Sequence, residues 1–128
     1  MSFAKEFTVC MHGSYLPTPD EALESVADAL EFLELLHTAA EAAGGVEITL
    51  ADLEAAGGVV GLGALVGDAA AVTVAAYAGA VAGCMLAGGG SVVWDLLAEQ
   101  DVSAPVVRDV VAAASSAGVE VPEKFAVA

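Results

Sequence analysis

Positive charge is almost missing from this sequence: Lys5, Arg108 and Lys124 are its only Lys or Arg residues, against 18 Asp and Glu among 128. At a formal net charge of −15 the chain lacks the cations that displace counterions from phosphates, which argues against nucleic acid as a partner. Attraction to an anionic membrane surface is weak at neutral pH for the same reason. The acidity suits three things: solubility of a sticky chain, a basic partner, or a high-salt cytoplasm. Aromatic residues are also scarce, at 5%, although 58% of the chain is hydrophobic. Much of that material is Ala and Val, so burial per residue is modest and close backbone contact must supply the packing.

Cysteine is too sparse for a disulfide framework, with only Cys10 and Cys84. Cys84 lies in apolar sequence and reads as a small buried thiol. No secretory signal is expected either, because no apolar core follows Lys5 before His12 and the Pro17/Pro19 turn. The expected location is cytoplasmic before any export, with signal-independent secretion or membrane association as the open routes.

Residues that carry chemistry are few and scattered. His12 and His37 have no second ligand at helical or hairpin spacing, and Cys10-Met11-His12 falls short of the three or four ligands zinc needs. His37 sits on an apolar stripe and reads as a core-edge histidine bonded to a carbonyl. Glu31 and Glu34 are helix neighbours without the His or third carboxylate of a di-metal motif. Gly61-Leu62-Gly63 has no preceding strand and no following Lys, so it is no phosphate loop. Ser14, Ser115 and Ser116 have no base at meaningful spacing. The sequence therefore predicts no enzyme, no cofactor and no metal.

What the sequence has is a Gly/Ala-rich apolar stretch, Ala55 to Trp94, whose one charged residue is Asp68. Before it, Phe7 to Met11 reads as a strand or extended arm. Thr18-Pro19-Asp20-Glu21 is a helix start with a capping box, and Leu23, Val26, Leu30, Leu33 and His37 recur on one face, predicting a helix over 19–43. Gly44-Gly45 ends it. Thr49 and Asp52 form a second capping box for a helix over 50–67, which Gly57-Gly58 weakens. Asp68 is expected to cap a helix over 69–87, stopped by Gly88-Gly89-Gly90; its other reading is an intramembrane acid. Ser91 to Glu99 is a short helix with Trp94. Ser103 and Pro105 open a last amphipathic helix that Gly118 ends.

Within the apolar stretch small residues recur every four positions. Ala71, Ala75, Gly79, Gly83 and Ala87 form one series; Gly57 and Gly61, and Gly63 and Gly67, repeat the spacing. A four-residue period drifts slowly around a helix, so these positions make a smooth stripe that a neighbouring helix can approach closely. Residues 69–94 carry no charge over 26 positions, which exceeds the roughly 20 that span hydrocarbon. Ala and Gly contribute little to insertion, however, and no Lys/Arg cluster flanks the segment.

Leu50-Ala-Asp-Leu-Glu-Ala-Ala-Gly57-Gly58, followed by this segment, resembles the double-glycine leader and core of membrane-active bacteriocins; the resemblance implies cleavage after Gly58 and a permeabilising core. The stripe itself resembles glycine-zipper membrane-active toxins, a likeness that needs no cleavage. The expected fold is an all-α, single-domain helical bundle of about five helices. In it an extended arm (1–18) precedes a helical core (19–118) and a tail (119–128). Acidic amphipathic helices 19–43 and 104–117 wrap a small-residue hairpin, 50–67 and 69–87. The expected function is a membrane-active or toxin-type helical protein whose sheltered hairpin inserts or oligomerises. The alternative is a soluble acidic interaction module, as homodimer, adaptor or immunity-type protein. Partners are expected to be a second copy or another protein, with a membrane as a further option.

Overall fold

The computed structural model describes residues 3–13, 23–56, 71–100 and 102–125. They form an all-α bundle: α1 (Phe3–Gly13), α2 (Val26–Ala43), α3 (Leu50–Ala55), α4 (Val74–Gly89), α5 (Ser91–Glu99) and α6 (Ala104–Ser116), with a 3-10 turn at Glu123–Phe125. Five of these six α-helices have seven or more residues, matching the expected all-α bundle of about five helices in class, although the set of five is not the expected one. The hub is α4, on which α1, α2, α5 and α6 all pack.

The first correction is α1. The segment read as an extended arm is helical because Phe3, Phe7 and Met11 recur at four-residue spacing. Phe7 and Met11 are buried, and the Phe3 and Phe7 rings stack at 5.7 Å. Phe7 to Met11 alone is too short to tell a strand run from one face of a helix.

The second correction moves the start of α2 from Pro19 to Val26. Ser25 caps it, accepting from the Asp28 amide at 3.2 Å, while the Asp28 carboxylate accepts from the Glu24 amide at 3.2 Å. Leu23 and Glu24 are therefore outside the helix, and Thr18 and Pro19 lie outside the described residues. Gly44 ends α2 at φ 129, donating to Ala40 O. The Thr49/Asp52 capping box of α3 is present as expected.

The third correction concerns the predicted hairpin. Thr73, rather than Asp68, caps the helix that follows, accepting from the Ala76 amide at 3.1 Å. The backbone explains why the helix cannot begin sooner. Residues around Thr73 run antiparallel to those around Thr49, with Leu50 N donating to Val72 O and Val74 N to Ile48 O, both at 2.8 Å. Val72 and Val74 spend their polar groups on that bridge, so helical bonding starts beyond it. The first limb ends at Ala55; the rest of it, with Gly57, Gly61, Gly63, Gly67 and Asp68, lies outside the described residues.

The C-terminal elements follow the sequence closely. Gly90 takes φ 56 between α4 and α5, and Gly118 takes φ 75 where Val119 N bonds back to Ala114 O after α6. The stretch read as a tail docks in part, since Phe125 packs on Trp94 with ring centroids 5.6 Å apart.

One covalent link was not foreseen. Cys10 on α1 and Cys84 on α4 form a disulfide, with Cα atoms 5.5 Å apart and a separation of 74 positions in sequence. Cys84 is buried, as expected, but it is not a free thiol. Two cysteines allow only one pairing, and α1 brings them together once its residues are helical.

Candidate functional site

Helix α4 defines the candidate site because it is apolar on every side yet not fully enclosed. Val74, Tyr77, Ala78, Val81, Ala82, Cys84, Met85 and Leu86 are buried against the other helices. The opposite face holds Ala75, Ala76 and Ala87, which are exposed, and Gly79, Ala80 and Gly83, which are half-buried. An outward helix face in water is ordinarily charged or polar; this one carries neither.

That face forms one wall of a groove, and α6 forms the other. The groove encloses about 470 Å³ and is lined by Ala75, Gly79 and Gly83 from α4 and by Asp109, Ala112, Ala113, Ser116 and Ala117 from α6 and its end. Among the described residues, a Cβ placed at Gly79 or Gly83 would meet nothing within 4 Å. Ala75, Gly79, Gly83 and Ala87 share one face of α4, and among the described residues the middle of that face borders the groove. Ala71 precedes the helix and is exposed, so the helical series is Ala75, Gly79, Gly83 and Ala87.

Close approach occurs instead where the sequence reads as a helix stop. A Cβ at Gly89 would sit 2.6 Å from Val26 Cγ2 and 3.0 Å from Val93 Cγ2. One at Gly88 would sit 3.2 Å from the Phe3 ring. These two glycines let α1 and the start of α2 reach the end of α4. Their spacing does not extend the four-residue series, so the series could not reveal them.

The groove wall on α6 is fixed by two polar contacts to α2. His37 Nε2 bonds the Asp109 carboxylate, so the core-edge histidine has a carboxylate partner rather than the expected carbonyl. Glu34 accepts from Ser103 at both the amide, 2.9 Å, and the hydroxyl, 2.6 Å. Ser103, which immediately precedes α6, is therefore held by a side chain 69 residues away, and its hydroxyl does not cap its own helix. Glu34 and His37 are one turn apart on α2 and act together as a bracket that sets where α6 lies. The carboxylates of α2 thus include one structural member, Glu34.

Beneath the groove, Tyr77 packs edge-on against Phe32 at 6.3 Å. Burial pushes its phenol well above the ordinary tyrosine range. Among the described residues no group of three or more His, Cys, Asp or Glu is placed to hold a metal ion. No single helix among them is long and apolar enough to cross a membrane; α4 and α5 pass together, but they bend by 112° at their junction. No protein-family model, curated protein or solved structure matches this chain.

Proposed function

We propose that this protein is an acidic helical interaction module that self-associates through the α4 face, with α4 of a second copy seated along the α4–α6 groove. The observation that carries this reading is the open groove whose α4 wall is uncharged, with Asp109 the one acid in its lining, on an otherwise strongly acidic chain. Between Ala71 and Trp94 there is no charged residue, so two copies meet there without opposing carboxylates along α4. The stripe Ala75, Gly79, Gly83 and Ala87 is what a second copy would itself bring, and two smooth stripes can cross with backbones in contact. A two-fold pairing uses the same patch on both chains and closes on itself. The Cys10–Cys84 disulfide supports a working place outside reducing cytosol.

Sedimentation velocity across a concentration series tests the proposal. A monomer–dimer equilibrium is expected, and Gly79→Leu should abolish it while leaving the monomer folded, because among the described residues a Cβ there meets nothing within 4 Å and points the side chain into the groove. Salt gives a second readout. Screening the −15 charge should strengthen self-association between low salt and about 1 M, where the Debye length is near 3 Å. A basic partner would instead be released by salt. A chain that stays monomeric at every concentration and salt level would refute the proposal.

Membrane insertion is the second reading, favoured by the apolar α4–α5 pair. It requires α4 to leave its contacts with α1, α2 and α6. Dye release from liposomes by wild-type protein, retained in Gly79→Leu, would move the assignment to this reading.

A further inference from the structure

We infer that the Cys10–Cys84 disulfide is a reducible latch that holds α1 as a cover over α4, and that a dithiol releases the cover without unfolding the rest of the bundle. This inference does not rest on self-association, because α1 and the groove use different faces of α4. Cys84 and Gly88 face α1, whereas Gly79 and Gly83 face the groove; successive residues turn by about 100° around the axis.

The cover is built to depend on its latch. With 11 residues, α1 is shorter than a helix that holds itself in water, so it is ordered by docking. Its apolar hold comes from Phe7 and Met11 in the core and from Phe3 lying over Gly88 and Gly89. These anchors must offset the ordering of the whole segment. Cross-linking Cys10 to the hub helix removes the separation that would otherwise compete with docking. The rest of the bundle has its own fixings: α2 and α6 are joined by Glu34–Ser103 and His37–Asp109, and the strand-like bridge ties residue 49 to residue 73. None of these passes through α1.

The two sulfurs differ in access. Cys84 is 2% exposed, whereas Cys10 is half-buried on the outer helix. One thiolate of the dithiol attacks Cys10 Sγ, forming a mixed disulfide while the Cys10–Cys84 bond breaks and Cys84 leaves as a thiolate that takes up a proton. The second thiol of the reagent, after losing its proton, then closes on the first, releasing Cys10 as the thiolate, which is protonated in turn. Two electrons pass to the cysteine pair and the dithiol leaves as its cyclic disulfide. Release exposes Phe3, Phe7 and Met11 together with the α4 face around Cys84 and Gly88, so an apolar surface appears only under reducing conditions.

Hydrogen–deuterium exchange on the full chain, with and without excess dithiothreitol at neutral pH, tests the latch. Mass spectrometry after alkylation reports that both thiols are free. Exchange within residues 3–13 should rise at least tenfold on reduction, while 26–43 and 104–116 keep their protection. Cys10→Ser should reproduce the reduced pattern without any reagent. Unchanged protection of 3–13 in the reduced chain would overturn the inference, because docking would then not need the bond. Loss of protection throughout, in the reduced chain or in Cys10→Ser, would overturn it equally, making the disulfide a support of the whole fold. A bond that resists the dithiol under native conditions would also overturn it. Sedimentation of the oxidised chain reports on self-association separately, so failure of one reading leaves the other standing.

Discussion

Gly89 and Gly79 lie ten residues apart on one helix, and alanine at each should have opposite effects. At Gly79 the new methyl meets nothing within 4 Å among the described residues, and replacing an interior helical glycine removes backbone freedom from the unfolded chain. Gly79→Ala should stabilise the protein by about 0.5–1 kcal/mol. At Gly89 the methyl would lie 2.6 Å from Val26 Cγ2 and 3.0 Å from Val93 Cγ2. Relief to ordinary contact requires one of these to move by nearly an ångström. Val26 is 6% exposed in the first turn of α2 and Val93 is fully buried, and β-branched side chains have little rotamer freedom in a helix. The start of α2 or of α5 must therefore shift, at about 1–3 kcal/mol. Gly89 is the last residue of α4, so the propensity gain that helps Gly79→Ala offsets little of this. For a chain of 128 residues, 1 kcal/mol corresponds to about 4 °C in Tm at roughly 2.1 cal/mol/K per residue. Thermal melts by circular dichroism should place Gly89→Ala about 4–12 °C below wild type and Gly79→Ala slightly above it. Equal destabilisation at the two sites would refute the assignment of close packing to the end of α4.

Three further outcomes follow from the same contacts. Replacing both cysteines by alanine should leave the midpoint of the cooperative transition in denaturant titrations close to wild type, well short of the chain-entropy ceiling of about 4.5 kcal/mol for a loop spanning 74 positions; a loss approaching that ceiling would make the bond a support of the whole fold. Glu34→Ala should cost about 1–2 kcal/mol, because Ser103 then loses the acceptor of both its amide and its hydroxyl, and the loss should show as faster exchange in the first turn of α6. Tyr77 titrates above its unfolded value, so the unfolded chain gives up the phenolic proton first. Its contribution is complete below about pH 10 and declines as pH rises beyond that; Tyr77→Phe should flatten the alkaline fall in Tm, and an identical fall in the variant would show that other groups govern it.

Much of the fold was legible because its signals are local. The capping box at Thr49 and Asp52 and the αL glycine at 118 are each set by residues within one turn, and each is where the sequence puts it; the end of α4 lies two residues later than expected, since the helix runs through Gly88 and Gly89 and stops at Gly90. Errors occurred where a distant segment decided the matter. Asp68 has the chemistry of an N-cap, yet the helix waits for Thr73 because residues 48–50 occupy the backbone of 72–74. Ser103 looks like a cap and is instead satisfied by Glu34 from α2. The Cys10–Cys84 pairing depends on α1 lying across α4, which no local pattern encodes.

The candidate site shows the same division in its glycines. Periodicity finds a smooth stripe but cannot say whether its neighbour lies in the same chain. Gly79 and Gly83 keep the period and border the groove, whereas Gly88 and Gly89 break it and carry the tight contacts. A glycine that serves internal packing is replaced only at a cost to folding. A glycine that faces an open groove can be enlarged freely unless something else comes to rest there. Leucine at position 79 thus separates the two roles: a folded chain that no longer pairs locates the need outside the molecule. If the same substitution unfolds the chain, the groove must be closed in solution by the protein itself, and the smoothness of α4 would then be explained by packing alone.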